Sequence, residues 1–173
     1  MWTTVESPIG ELWVVASNGA VTAVDFVDRD VPESPHTSVA WAAARADGRP
    51  LGERSDDDPL LSEAARQLRE YFAGERTDFD LPLRPEGTEF QRRVWEQLRT
   101  IPYGEVTSYG EIARRLGMTG HGSRAVGLAN GRNPIAIVIP CHRVVGADGS
   151  LTGYGGGIER KQRLLELEQQ SLF

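Results

Sequence analysis

Two apolar, β-branched runs stand near the start of the chain, Gly10 to Ser17 and Ala20 to Val27, separated by Asn18-Gly19. An Asn-Gly pair between such runs is the strongest short hairpin signal, because both residues tolerate the positive φ of a tight mirror-image turn. The segment predicts an N-terminal β-meander. From 28 to 59 periodicity disappears and Asp, Pro, Ser, Gly and Arg dominate, which predicts a long loop. A helix is expected over 61–73, with Leu61, Ala65, Leu68 and Phe72 on one face, Ser62 as its cap and Gly74 as its stop. Residues 75–87, acidic and interrupted by prolines, read as a linker.

The second half is more regular. Thr88-Glu89-Phe90-Gln91 is a capping box, and Phe90, Val94, Leu98 and Ile101 form the apolar stripe of the helix behind it. Pro102-Tyr103-Gly104 breaks that helix. Ser108-Tyr109-Gly110-Glu111 repeats the capping pattern and opens a short helix carrying Tyr109, Ile112, Ala113 and Leu116 on one side, with Gly117 as its stop. A third helix is expected from Ser123 to Gly131. Helix, short turn, helix is the pattern of many DNA-binding units, though proteins that never meet DNA also use it. Asn133-Pro134 ends the third helix. The run Ile135 to Ile139 then has the character of a fully buried strand or extended segment, closed by Pro140. After a Gly-rich stretch reaching Gly157, a last helix is expected from Ile158 to Gln169, with Ile158, Leu164, Leu165 and Leu167 available for packing.

These patterns predict an α+β fold. A small N-terminal antiparallel sheet-and-helix domain, 1–86, packs on a mainly helical domain, 87–173, that contains a winged-helix-like helix-turn-helix. A length of 173 residues accommodates one domain or two small ones sharing an interface. No run approaches the roughly 20 apolar residues of a membrane helix, and the first residues lack the layout of a signal peptide; a cytoplasmic protein without a membrane partner is expected. The net charge of −6 argues against DNA only as an average. Residues 1–86 hold 8 Arg against 17 acidic residues, a balance of −9, whereas residues 87–173 hold 11 basic against 8 acidic residues, a balance of +3. Such asymmetry can mark a nucleic-acid-facing half. Eighteen of the 19 basic residues are Arg, which codon bias explains as readily as phosphate recognition does.

The chain has a single cysteine, Cys141, so an internal disulfide and a multi-cysteine zinc site are excluded. A lone cysteine is a buried small hydrophobe, a free surface thiol or a nucleophile, and its neighbours have to decide. Cys141 follows a proline-terminated apolar run and precedes His142 and Arg143. Such a run presents the thiol on a firm backbone, and nearby His and Arg favour the nucleophilic thiolate. The competing reading makes Cys141 core, His142 a satisfied polar residue and Arg143 a surface charge.

Ile139-Pro140-Cys141-His142-Arg143-Val144 resembles the signature of the O6-alkylguanine-DNA alkyltransferases, or methylated-DNA–protein-cysteine methyltransferases. Arg124-Ala125-Val126-Gly127, Asn133-Pro134, Gly153-Tyr154 and Gly156-Gly157 resemble that family in order and spacing. So do the turn Ile101-Pro102-Tyr103-Gly104-Glu105-Val106 and Ser108-Tyr109. The similarity is strong over 88–168, while 1–85 resembles the family's less distinctive N-terminal domain.

The resemblance implies repair of double-stranded DNA by direct transfer of an alkyl group from O6-alkylguanine, and from O4-alkylthymine, to Cys141. The damaged base is flipped out of the stack, at a cost of roughly a few kcal/mol. It implies that the second helix of the helix-turn-helix enters the minor groove with Arg124 in the place of the extruded base. The small residues Ala125, Gly127, Ala129 and Gly131 would permit close approach there, although a tightly packed helix would use the same residues. His142 accepts the thiol proton through water, Glu168 orients His142, Tyr109 donates to a ring nitrogen of the departing guanine, and Asn133 braces the active-site segment. Tyr154, Gly155, Val144 and Ala136 wall the base pocket. Each role has a plainer competitor: Tyr109 as a first core residue, Glu168 as one more exposed glutamate, Asn133 as a turn. The thioether is stable and the chain holds no resolving cysteine, so one event per molecule is implied, with no cofactor and no metal. The protein is expected to be monomeric and open to cooperative binding on DNA.

The chain departs from the family in several places, among them the lack of any cysteine in 1–86, through which some members carry zinc. Gly120-His121-Gly122 makes the turn before Arg124 about one residue longer. Gly155 stands where some members have serine, and Ala136 where some have proline, which would widen the pocket toward bulkier adducts. The rival readings are an alkyltransferase-like damage sensor that transfers nothing, a Cys-His hydrolase and a transcription regulator.

Overall fold

A computed structural model describes residues 1–27, 52–120, 122–154 and 156–170. Most of the expected 28–59 loop, His121 and Gly155 lie outside the described residues. The N-terminal sheet has three antiparallel strands in chain order: β1 (Trp2–Val5), β2 (Leu12–Ser17) and β3 (Ala20–Phe26). The β2–β3 turn is built as its sequence requires, with Asn18 at φ 50° and Gly19 at φ 77°. Strand β1 has only four residues, too short for alternation to reveal; its Trp2 stacks on Trp13 of β2 with ring centres 5.6 Å apart.

Helix α1 (Pro59–Phe72) covers the sheet. It starts earlier than expected, because Asp58 rather than Ser62 is the cap, accepting from the Leu61 amide at 3.0 Å. Pro59 then takes the first helical position, where its missing N–H costs nothing. Leu61, Ala65 and Leu68 are buried as expected, but Tyr71 rather than Phe72 completes the buried face.

Helix α2 (Glu89–Leu98) opens with the full capping box: the Gln91 amide donates to Thr88 at 3.1 Å and the Thr88 amide to Gln91 at 3.0 Å. Val94, Leu98 and Ile101 are buried, and so is Trp95, whose indole N–H donates to the Ala129 carbonyl at 2.8 Å. Helices α3 (Tyr109–Arg115) and α4 (Gly122–Gly131) form the helix-turn-helix, with α4 packed against both α3 and α2. Ser108 caps α3 by accepting from the Glu111 amide, but Glu111 turns its carboxylate to Arg114 and Arg115, so only half of that box forms.

The run after Asn133-Pro134 is buried but is not a strand. Only its first residues reach a sheet: the Val24 amide donates to the Pro134 carbonyl and the Ala136 amide to the Val24 carbonyl, both at 3.0 Å, extending the β3 edge. The chain then coils tightly, with Val138 donating to Ala136 and Ile139 to Ile135, and Ile137 sits at φ 72°. Positive φ at a β-branched residue is a strained backbone, of the kind that persists only where its surroundings over-determine it. A short 3-10 turn, Cys141–Arg143, leads into β5 (Val144–Val145), which pairs in parallel with β4 (Thr107–Ser108).

Helix α5 (Ile158–Gln170) closes the described chain. Ile158 is exposed, contrary to expectation, and Leu165 and Leu167 are only half-buried. The inward face is Lys161, Leu164 and Glu168, two of them ionisable. One hydrophobic core runs from Val5 to Leu164 through both halves of the chain. Among the described residues no helix is long and apolar enough to cross a membrane.

Candidate active site

Four segments meet around Cys141. The tight coil 135–139 is held by Asn133, whose Nδ2 donates to the Ile139 carbonyl at 2.8 Å and whose Oδ1 accepts from the Ile135 amide at 3.0 Å. The Asn133 side chain also lies near enough to the Cys141 thiol to favour its ionised form. The 3-10 turn packs between α2 and α5, and Asn130 of α4 donates to the Cys141 carbonyl at 3.2 Å. The β4–β5 pairing sets the start of α3, and with it Tyr109, beside the same turn.

Burial decides the state of the thiol. Cys141 is only 5% exposed, and its pKa is pushed up to about 11 from an ordinary 9.0. The Asn133 side chain and the charge of Lys161 pull it down without offsetting the desolvation. The expectation that neighbouring His and Arg would hold a thiolate is therefore corrected: the resting group is a thiol. Arg143 does not serve the sulfur. It is buried, and its Nε and Nη2 clamp the two oxygens of Glu168 at 2.8 and 3.0 Å, while Nη1 donates to the Ile101 carbonyl at 2.7 Å.

Glu168 and His142 are brought together as anticipated, with 2.6 Å between Nε2 and Oε2 and neither side chain exposed. Glu168 also accepts from the Tyr71 hydroxyl at 2.6 Å and the Gly104 amide at 3.3 Å. Burial raises the Glu168 carboxyl, but the hydrogen bonds and charges of His142 and Arg143 outweigh it and hold the group well below the usual carboxylate range. An ionised carboxylate only accepts, so Nε2 of His142 carries the ring proton and Nδ1 presents a lone pair. Nδ1 is buried with no partner among the described residues. Burial lowers the His142 pKa against the pull of Glu168, which keeps the ring neutral at pH 7.

Lys161 was not anticipated. It is fully buried, donates to the Thr152 carbonyl at 2.8 Å and reaches the Tyr109 hydroxyl at 3.4 Å. Burial lowers its pKa to about 8, and its charge acts on Cys141. Its one legible signal was its type: it is the single lysine among 19 basic residues. Tyr71 was also missed as part of the site, and Arg143, expected to act on the sulfur, holds Glu168 instead. Tyr109 is half-buried and donates to the Thr152 carbonyl at 2.8 Å. Tyr154 is buried edge-on to Phe26, with its hydroxyl unpartnered among the described residues, and Gly156 allows this, since a Cβ there would lie 2.6 Å from the Phe26 ring. Val144 and Ala136 are buried beside the turn. The cleft lined by Leu83, Arg84, Trp95, Arg99 and Ile139 lies elsewhere and holds none of the expected site residues.

On α4, Arg124 is exposed and makes no hydrogen bond or ion pair with a described residue. Ala125, Gly127 and Gly131 are half-buried around it. Ala129 is corrected: it faces the core, with its carbonyl occupied by Trp95, and cannot line a DNA-facing surface. Among the described residues no group of three or more His, Cys, Asp or Glu side chains could hold a metal ion.

Two family models match the chain: the 6-O-methylguanine DNA methyltransferase ribonuclease-like domain over residues 1–85 and the DNA-binding domain of the same family over 89–170. A methylated-DNA–protein-cysteine methyltransferase of Mycolicibacterium paratuberculosis is 49% identical over 169 residues, spanning 98% of this chain and 92% of that protein. The crystal structure of the Mycobacterium tuberculosis O6-methylguanine methyltransferase superposes with a TM-score of 0.79 at 48% identity, covering 98% of this chain and 93% of that one. The same M. tuberculosis protein in complex with DNA gives a TM-score of 0.80 at 47% identity, with the same coverage.

Proposed function

The chain belongs to the 6-O-methylguanine DNA methyltransferase family, and on that premise we propose that Cys141 is its methyl acceptor, used once per molecule. The protein is a methylated-DNA–protein-cysteine methyltransferase that acts in DNA repair. The observation that carries the assignment of residues is the buried line from Glu168 through His142 to the 3-10 turn of Cys141, with a neutral ring whose Nδ1 lone pair is uncommitted.

With the thiol pKa near 11, attack must be coupled to loss of its proton. We assign that proton to Nδ1 of His142, through water, while Glu168 stabilises the imidazolium that results. Sulfur then bonds the methyl carbon, the carbon–O6 bond breaks, and its electron pair leaves with guanine. Tyr109 supplies a proton to the guanine ring nitrogen, after releasing the Thr152 carbonyl, and Lys161 at 3.4 Å stabilises the transient phenolate. The proton gained at His142 balances the one guanine takes. Asn133 holds the segment, and Tyr154, Gly155, Val144 and Ala136 enclose the base. No step calls for a cofactor or metal.

Residues 87–173 carry the DNA surface and the chemistry, and residues 1–86 buttress them through the β3 edge and Tyr71. The substrate is double-stranded DNA bearing O6-alkylguanine or O4-alkylthymine. Helix α4 lies in the minor groove, Arg124 replaces the extruded base, and Ala125, Gly127 and Gly131 let the backbone approach. The protein works as a monomer in the cytoplasm.

Intact-mass analysis after mixing equimolar protein with a duplex bearing O6-methylguanine tests this reading. One methyl mapped to Cys141, with none on Cys141→Ser, is expected. Multiple turnovers would indicate a hydrolase, and binding without mass change a damage sensor.

A further inference from the structure

Helix α4 has an outward ridge that the reading above uses only in part. Gly122, Val126, Ala129 and Asn130 face the interior. The opposite face is therefore Arg124, Leu128 and Gly131, by the 3.6-residue repeat, with Gly127 at its margin against the Tyr109 ring. Among the described residues Leu128 is 64% exposed, more than Met1, Val106 or Ile158, the other exposed large hydrophobic side chains, none of which is on α4. An isolated exposed leucine is unremarkable in itself. This one stands between glycines at 127 and 131, on a face with no other large apolar side chain, four residues beyond the unpaired Arg124.

We infer that Leu128 is an apolar wedge that seats in the DNA minor groove beside the position filled by Arg124. The inference rests on the proposal that α4 reads DNA. Side chains at i and i+4 project from one face with about 6 Å between them, so Leu128 addresses the groove one to two base steps from the site of extrusion. The flanking glycines leave bare backbone that fits a groove only about 6 Å wide. Apolar side chains that enter this groove unstack or support base steps without reading hydrogen-bond patterns. Such a contact makes extrusion easier whatever the neighbouring sequence, as a repair protein requires. The isolation of Leu128 argues against a protein partner, which would need a contiguous apolar patch.

The test compares Leu128→Ala, Leu128→Met and Arg124→Ala, each with unmodified-duplex affinity at several salt concentrations, single-turnover reaction on duplex O6-methylguanine, reaction with the free base and thermal unfolding. Leu128→Ala is expected to weaken duplex binding and slow duplex repair by about tenfold, the loss of a few methyl-sized contacts. Reaction with the free base and unfolding should be unchanged, and Leu128→Met should restore the duplex reaction. The slope of log affinity against log salt should be unaltered by Leu128→Ala, because no counter-ion is released by a leucine, and reduced by about one for Arg124→Ala. If Arg124→Ala impairs duplex repair while Leu128→Ala does not, the wedge is wrong and the α4 reading stands. Loss in neither variant would overturn both. A fall in melting temperature or in the free-base reaction with Leu128→Ala would make Leu128 a structural residue.

Discussion

On the Glu168 side of the His142 ring, both carboxylate oxygens are covered by donors from His142, Arg143, Tyr71 and Gly104, drawn from three separate stretches of chain. On the Cys141 side, Nδ1 of His142 and the hydroxyl of Tyr154 have no partner among the described residues, the thiol is held un-ionised by burial, and a lysine is buried with no ion pair among those same residues. The two sides lie on one short turn and differ in what burial does to them. Where every charge is paired, burial makes a rigid mount, because breaking any contact strands another charge in low dielectric. Where groups are left short of partners, burial stores reactivity: the thiol, the lone pair and the ammonium each gain when a substrate completes them.

The comparison breaks or sharpens at three positions. Glu168→Gln should have the largest effect. It leaves the Arg143 guanidinium buried without its counter-ion, and the expected loss is about 3–5 kcal/mol in urea unfolding, with methyl transfer slowed roughly a hundredfold or more because the His142 ring is no longer oriented. The pH dependence has a definite sign. Glu168 has a folded pKa below its ordinary 4.5, so its contribution is fully present above that value and is lost as pH falls toward the folded pKa. Acid unfolding of the variant should therefore be shallower than that of the wild type below pH 4.5. Equal stability and equal rate would show that the paired side is not a mount at all.

Lys161→Met should separate the two sides. Removing the ammonium raises the Cys141 thiol further, and each added pKa unit removes about tenfold of the thiolate, so transfer should slow by at least about tenfold at pH 7.

Stability should move the other way. The folded pKa near 8 lies below the ordinary 10.5, so burying the charged lysine carries a penalty that is constant below pH 8 and is relieved as pH rises to 10.5. The variant should be more stable than the wild type at pH 7, with the difference shrinking above pH 8. A destabilised Lys161→Met would place this lysine with the mount and not with the reactive groups. Tyr71→Phe should be the mildest change. It removes one donor from a carboxylate that keeps its others, and a loss of about 1 kcal/mol with transfer rates within about threefold of wild type is expected from thermal unfolding and single-turnover assays.

Local chemistry was legible wherever it is local. The Asn18-Gly19 turn, the Thr88 capping box and the helices around Ile112 and Val126 follow from residues a few positions apart. The pairing of His142 with Glu168 could be anticipated only through resemblance, since nothing in a helix rich in glutamate marks one of them as buried. Where the reading failed, two structures shared one pattern. Ile135 to Ile139 is an apolar run, and an apolar run reports burial without reporting shape. Ser62 and Asp58 both suit a helix cap, and Pro59 settles the choice. Ala129 is small, as a groove-facing residue would be, yet the angle of α4 against Trp95 turns it inward.

By itself the sequence determined the helices and the β2–β3 hairpin, the order in which chemistry-bearing residues occur, and the identity of the one sulfur nucleophile, because these depend on near neighbours and on residue type. Only the tertiary structure decided that Tyr71, Gly104, Arg143 and Glu168 share one buried charge, that Lys161 sits inside and not on the surface, and that the thiol rests protonated. Those are properties of desolvation and long-range approach, and a group's distance from water cannot be counted along the chain.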